Sequence, residues 1–384
     1  MMKALTIACA SILFVACHGA DSANKDDAVS GSAAISNSSF TATPVAKFNE
    51  PWAMAFLPDG RLLVTEKKGA LKVYTIGGST GDVSGAPTVD YGGQGGFGDV
   101  VLHPKYQQNH LVYLSYAEAG EGDTRGAAVA RARLTLDEKG GALSDLKVIW
   151  RQVPKVEGRG HFGHRVAFAP DGHLYISSGE RQKFDPAQDM NSNLGKIVRL
   201  NDDGSVPADN PFASRGGVTA QIWSLGHRNP LGIAFDSQGR LWNQEMGPAG
   251  GDELNLVERG ANYGYPVVSE GDHYDGKDIP SHSTHAAEFK APKIVWNPVI
   301  SPGGLMFYSG NEFPDWRGDA FVGGLSSESL IRIEFQGESA REAERFQMGH
   351  RIREIEQGPD GAIWLLEDER EGKGGRLLKM TRPR

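Results

Sequence analysis

Short apolar runs alternating with polar turns organise most of this chain, and one turn recurs. Leu57-Pro58-Asp59-Gly60-Arg61-Leu62-Leu63-Val64 returns as Ala169-Pro170-Asp171-Gly172-His173-Leu174-Tyr175-Ile176. It returns again as Asp236-Ser237-Gln238-Gly239-Arg240-Leu241-Trp242 and as Gly358-Pro359-Asp360-Gly361-Ala362-Ile363-Trp364. His103-Pro104-Lys105-Tyr106 before Leu111-Val112-Tyr113-Leu114, and Phe313-Pro314-Asp315-Trp316 before Ala320-Phe321-Val322, are looser versions. Each reads as a strand, a Pro/Asp/Gly turn and a second strand, which is a hairpin. Helical periodicity is nearly absent. Six copies of one β unit across residues 43–384 predict an all-β, six-bladed β-propeller. A pair of β-sandwiches is the other arrangement this pattern allows, although it would not repeat one turn chemistry six times.

Composition sharpens that picture. Glycine supplies 50 of 384 residues, close to double its usual share, as many tight turns require. With 39% apolar residues and 23% charged, the chain is suited to a large core rather than to disorder. The net charge is −8 and no basic block occurs, so nucleic acid is not an expected partner. The cysteines are Cys9 and Cys17, which leaves the body without a disulfide or a cysteine-ligated metal.

Lys3 followed by the apolar run Ala4–Ala16 fits a signal-peptide core and is too short to span a bilayer. Phe14-Val15-Ala16-Cys17 is similar to a bacterial lipobox, in which the cysteine is lipidated after cleavage. Cleavage after Ala20 by the ordinary signal peptidase is the alternative. The expectation is a signal peptide over 1–16, a flexible tether over 17–42, and an exported, periplasmic protein touching a membrane only through Cys17.

Glycine abundance also imitates motifs. Gly93-Gln94-Gly95-Gly96-Phe97-Gly98 and Gly158-Arg159-Gly160-His161-Phe162-Gly163 match a dinucleotide fingerprint, but strand-like runs follow them where a helix N-terminus is needed. Gly77-Gly78-Ser79-Thr80-Gly81 matches a nucleophile elbow with no helix behind it. His161 and His164 lack a third zinc ligand nearby in sequence.

Four segments stand apart. Gly160-His161-Phe162-Gly163 frames a histidine at the start of a strand; read alone, an exposed loop histidine is the more ordinary reading. Trp223-Ser224-Leu225-Gly226-His227-Arg228-Asn229-Pro230 offers a donor fork or a plain surface arginine. Glu245-Met246-Gly247-Pro248-Ala249-Gly250-Gly251-Asp252-Glu253 combines free carbonyls with carboxylates, the oxygen ligands calcium takes, or is a bare acidic turn. Arg351-Ile352-Arg353 would send both guanidiniums to one strand face, to grip a polycarboxylate or to form an ordinary charged strand with Glu354 and Glu356.

In this order the four segments resemble the PQQ-dependent aldose sugar dehydrogenases, the soluble quinoprotein glucose dehydrogenase family. The resemblance covers about residues 45–380, from Pro51-Trp52-Ala53-Met54-Ala55-Phe56 through Asn262-Tyr263-Gly264-Tyr265-Pro266. It implies a six-bladed propeller that oxidises an aldose to the lactone and passes electrons to an external acceptor. It implies His161 as general base, with Arg228 at the reactive quinone oxygen and Asn229 beside it. The Gly247 and Pro248 carbonyls would hold the cofactor-bound calcium, and Glu253 and Tyr263 a structural calcium. Arg351 and Arg353 would face the cofactor carboxylates, Gln94 would sit near the substrate, and Trp296 is expected to line the same mouth.

Two departures matter. A lysine that contacts the cofactor in some members is Ser326 here. The acid beside the histidine in glucose-specific members is Gly160, with Arg181 at their substrate-contacting glutamine, which implies a broader aldose range. A calcium-dependent propeller lactonase and an inactive propeller binding module are the competing functional readings.

Overall fold

A computed structural model of the chain describes residues 33–383. The proposed signal segment and Cys17 lie outside the described residues. Among the described residues the fold is all-β, with one four-residue α-helix and a few 3-10 turns between strands.

Six strands of six residues each organise the molecule: Pro51–Phe56, Phe97–Leu102, Gly163–Phe168, Pro230–Phe235, Pro302–Phe307 and Ile352–Gln357. Each is followed by one of the recurrent turns and pairs antiparallel with the next strand. Each pairing also slips in register just after its first residue, between Pro51 and Ala53 in the first and between Ile352 and Glu354 in the last. The residue or two after the first, Trp52 in the first strand and Arg353 in the last, are thereby left out of the ladder and can be turned toward a rim. These strands lie buried along most of their length, which is why they read as apolar runs and not as alternating ones.

The six strands touch in sequence, each against the next, and Ile352–Gln357 returns to Pro51–Phe56. Three units are separate four-stranded sheets. The first two share an eight-stranded sheet, joined only where Val83 and Ser84 run parallel to Gly141 and Ala142. The last sheet has five strands and takes Thr41–Lys47 from the other end of the chain, pairing it with Arg376–Thr381.

The apolar side chains sit between sheets, not within one. Met54 and Leu62 of the first unit pack with Trp364 and Leu366 of the last. Trp242 and Leu254 pack likewise with Val322 and Ile331 of the following unit.

Two expectations are corrected here. The tether does not reach residue 42: Ile35–Ser36 pairs with Thr41–Ala42, and Phe40 is wholly buried beside Leu378 and Met380. Burying such a ring is worth about 1.5–3 kcal/mol, enough to hold this segment against the body. Trp296 does not line the mouth. It lies on Ile294–Trp296, an outer strand, buried in the cluster with Trp242 and hydrogen-bonded through Nε1 to Glu342 Oε2 at 2.7 Å.

Candidate active site

One device recurs at the rim where the six strands begin. The second strand of a hairpin ends in an acid, and that acid turns back onto the residues that start the first strand. Glu66 accepts from the backbone N–H of Asn49 at 2.8 Å. Glu180 meets His161, Glu245 meets His227 and the backbone of Arg228, and Asp368 meets Arg351 and Arg353. In this way the hairpin geometry delivers a charged pair to the rim from each of several units.

The His161–Glu180 pair is the most consequential. Nδ1 of His161 is hydrogen-bonded to Glu180 Oε1, while Glu180 Oε2 accepts from the backbone N–H of Phe184 at 2.7 Å. The backbone N–H of His161 is held by Gln94 Oε1 at 2.8 Å. With Nδ1 engaged, Nε2 is the ring nitrogen left for chemistry. Burial pulls the imidazole below its ordinary pKa, the glutamate hydrogen bond opposes this, and the charge of Arg228 adds to the lowering. Burial tends to raise Glu180, but the hydrogen bond and charge of His161 overcome it and hold the carboxyl below its usual range. A neutral imidazole beside an ionised carboxylate is the resting state of a general base.

His161, His164, Arg181, Gln182 and Phe184 all adopt left-handed backbone conformations without being glycine. Such residues are uncommon and gather where a structure over-determines them for function.

His161 and Glu180 open into a cavity of about 290 Å³ with Gln182, Phe184, Arg228, Pro248, Tyr265, His273 and Tyr274. The Arg228 guanidinium donates to the Gly247 carbonyl at 2.6 Å, to the Met246 carbonyl at 3.1 Å and to Tyr274 Oη at 3.3 Å. Its Nε is buried without a partner. A fixed cation with a spare donor beside a base can stabilise negative charge that develops on a bound group.

A larger cavity of about 890 Å³ adjoins along residues 162–164 and 246. Trp52, Gln94, Lys67, Arg351, Arg353 and Asp368 are on its walls. Arg351 Nε donates to Asp368 Oδ2 at 2.7 Å, and Arg353 Nη2 to Oδ1 at 3.0 Å, so the two guanidiniums converge on one carboxylate, Arg351 from just before its strand and Arg353 from the register slip. Trp52 is braced by the Arg165 guanidinium, 4.0 Å from its ring centre, and by the His164 ring stacked at 4.9 Å. Beside the first cavity, Gly247, Pro248, Glu253 and Tyr263 surround one void of about 10 Å³, room for a single water-sized particle. Burial, then the neighbouring charge of Glu245, pushes Glu253 well above the usual carboxylate range. Asn243 Oδ1 and Asn255 Oδ1 are buried nearby without donors. Crowded oxygens with no donor suit a hard cation. Among the described residues, no three His, Cys, Asp or Glu side chains converge at metal distance, so such an ion would also need carbonyl or amide oxygens.

The structure therefore brings together His161, Gln94, Arg228, Arg351 and Arg353 around the two cavities, and Gly247, Pro248, Glu253 and Tyr263 around the void. Two of these have competing partners: the Gly247 carbonyl accepts from Arg228, and the Tyr263 carbonyl is 2.9 Å from His282 Nε2. Asn229 stands one layer behind, wholly buried, with Oδ1 accepting from the Gly163 N–H at 3.3 Å. Arg181 is not at the substrate. It is buried, donates to the carbonyls of Gly160, Gly158 and Arg125, and stacks on Phe162 at 3.8 Å. Ser326 is exposed and lies off the cavity walls. Glu180 was not among the sequence candidates, and its signal was the acid closing the second strands at Glu66, Glu180, Glu245 and Glu367-Asp368.

A neutral base facing a fixed cation across an aromatic-walled cavity is a site that can take a proton from a small polar substrate and stabilise the negative charge that develops, and a cation-walled cavity adjoins it. Residues 48–379 match the family model described as Glucose / Sorbosone dehydrogenase, and the chain belongs to that family. It is similar to "Aldose sugar dehydrogenase YliI" of Escherichia coli, 39% identical over 87% of this chain and 91% of that protein. The solved apo-form of the soluble aldose sugar dehydrogenase from Escherichia coli superposes with a TM-score of 0.85, at 37% identity, over 90% of this chain and 100% of that one. The PQQ-bound aldose sugar dehydrogenase from Streptomyces coelicolor gives 0.72 at 28% identity, over 90% and 99%.

Proposed function

We propose that this chain is a six-bladed β-propeller dehydrogenase that oxidises aldoses at the anomeric carbon to the lactone, using PQQ and calcium and passing electrons to an external acceptor. The closed circuit of six contacting strands supports the propeller reading. The observation that carries the activity is the His161–Glu180 pair facing Arg228 across the smaller cavity.

The residues present fit the cofactor. Two convergent guanidiniums suit a planar polycarboxylate, the unpartnered Arg228 Nε suits a carbonyl or oxyanion, and Trp52 gives the larger cavity a flat face. The surplus acceptors around Glu253 fit a calcium ion. Arg351, Arg353 and Arg228 would hold PQQ, which would supply the hydride acceptor, and a calcium at the Gly247 and Pro248 carbonyls would supply Lewis-acid polarisation of it. His161 takes the anomeric hydroxyl proton at Nε2, and Glu180 steadies the imidazolium that results. Arg228 holds positive charge where negative charge develops. Phe184, Tyr265 and Tyr274 wall the sugar with aromatic faces and shed water from it. Export with a lipid anchor at Cys17 completes the proposal, and the aldose range is taken as broad.

The test uses apoprotein incubated with calcium and PQQ, then aldoses and an artificial dye acceptor. Dye reduction that needs both additions is the expected result. Lactone hydrolysis without PQQ would instead indicate the lactonase, and silence in both assays a binding module.

A further inference from the structure

The wall that carries Arg351 and Arg353 holds a third cation from the opposite end of the chain. Lys67 follows the strand Leu62–Glu66 and lines the same cavity, half-buried. Its backbone is pinned on both sides: its N–H donates to the Glu50 carbonyl at 3.0 Å, and its carbonyl accepts from the Phe97 N–H at 2.8 Å. Its Nζ donates only to the Gly93 carbonyl, at 3.1 Å. Among the described residues Lys67 forms no ion pair.

Several carboxylates line the same cavity, Glu50, Glu66, Asp368, Glu369 and Glu371, and none of them forms an ion pair with Lys67. Asp368 is shared by the two arginines, and Glu50 is taken by Lys68 at 3.3 Å and by Tyr91 Oη at 2.7 Å. Glu66 accepts from the Asn49 N–H, and Glu369 from the Glu50 N–H at 2.8 Å. Two guanidiniums thus share one carboxylate while an ammonium beside them has none. Of the three cations on this wall only the arginines are paired, and an ammonium without an ion pair beside two guanidiniums can take a carboxylate of an arriving anion. Burial, then the charge of Arg353, lowers the Lys67 pKa below the usual lysine range, against the opposing charges of Glu50 and Asp368.

We propose that Lys67 is a cofactor-binding residue, the third cation of a wall that grips a polycarboxylate together with Arg351 and Arg353. The proposal rests on the PQQ reading above, PQQ being a tricarboxylate.

The test measures binding, not turnover. Full-length apoprotein with calcium is titrated with PQQ and with its trimethyl ester, followed by quenching of tryptophan fluorescence. Loss of one charged hydrogen bond predicts that Lys67→Met weakens PQQ binding about 10–100-fold. Lys67→Arg should retain most of the affinity, and the ester should bind wild type and Lys67→Met alike. Unchanged PQQ affinity in Lys67→Met would overturn the proposal, as would an equal loss for PQQ and ester, which would mean a packing role. A wild-type chain that binds no PQQ would overturn the functional reading and this proposal with it.

Discussion

Replacing Glu180 by glutamine tests the catalytic reading most directly. The carboxylate is fully buried and accepts three hydrogen bonds, from His161 Nδ1 and from the backbone N–H groups of Lys183 and Phe184. An amide has one oxygen. If that oxygen keeps the two backbone donors, the NH2 faces Nδ1 and drives the imidazole proton onto Nε2, the atom that must accept one. If the amide flips, two buried N–H groups face an NH2. Either way a charged, buried hydrogen bond is lost, which costs about 1.5–3 kcal/mol. If the loss falls on the transition state, kcat/KM drops about 10–150-fold. A second effect has an independent sign. Activity requires neutral His161, so it rises with pH through the imidazole pKa. Glu180 raises that pKa against burial, so Glu180→Gln should move the acid limb to lower pH while the plateau falls. Steady-state dye reduction across pH reads both effects in the calcium- and PQQ-loaded enzyme. A plateau within about twofold of wild type and an unmoved limb would refute the pairing as catalytic.

Other substitutions probe the neighbouring features. Arg353→Ala should weaken PQQ binding by about 10–150-fold in equilibrium dialysis, since a charged partner of the cofactor is removed. Trp296→Phe should leave that affinity unchanged and lower stability by about 1 kcal/mol in urea unfolding, the worth of the bond to Glu342. His164 is held down to about 3 by burial, with Arg165 adding to it, so the folded state binds fewer protons than the unfolded one. Stability should therefore fall as pH drops from about 6.5 toward 3, by up to about 1.4 kcal/mol per pH unit. His164→Gln should lose that part of the slope, read as the difference in urea midpoints at neutral and acid pH; equal slopes would refute it.

The hairpins were legible because turn chemistry is local: Pro58-Asp59-Gly60 and its relatives can be recognised without knowing what they pack against. The pairing of Arg351 with Arg353 was expected from their spacing, but Arg351 precedes the strand and Arg353 falls in its register slip, so it is Asp368 and not regular alternation that gathers them. Glu180 was not legible. It lies 19 positions from His161 and is returned to it only by the reversal of Leu174–Ser178 against Gly163–Phe168. Lys67 and Asp368 reach the larger cavity from opposite ends of the chain, a closeness that only ring closure creates. The sequence expectations that failed share a cause. Trp296 and Arg181 have side chains that suit a site, yet their backbones deliver them into packing, one between sheets and one beneath the Gly158–Gly160 loop. The segment before residue 42 reads as polar linker because one phenylalanine, Phe40, carries its attachment.

The pairing of Thr41–Lys47 with Arg376–Thr381 sets a timetable as well as an edge. Thr41–Lys47 meets this partner only after the strands of all the intervening units have been made, and until then only its short pairing with Ile35–Ser36 is within reach. Each intermediate length can complete its own local hairpins, but none can join the last unit to the first. Contacts of such sequence separation bear the full entropy of closing the chain and form slowly. A chain cut short before Arg376 loses more than one strand: Thr41–Lys47 is left without a neighbour on that side, and the unpaired edge is open to other chains. The later strand thus decides when the earlier one gains its long-range neighbour.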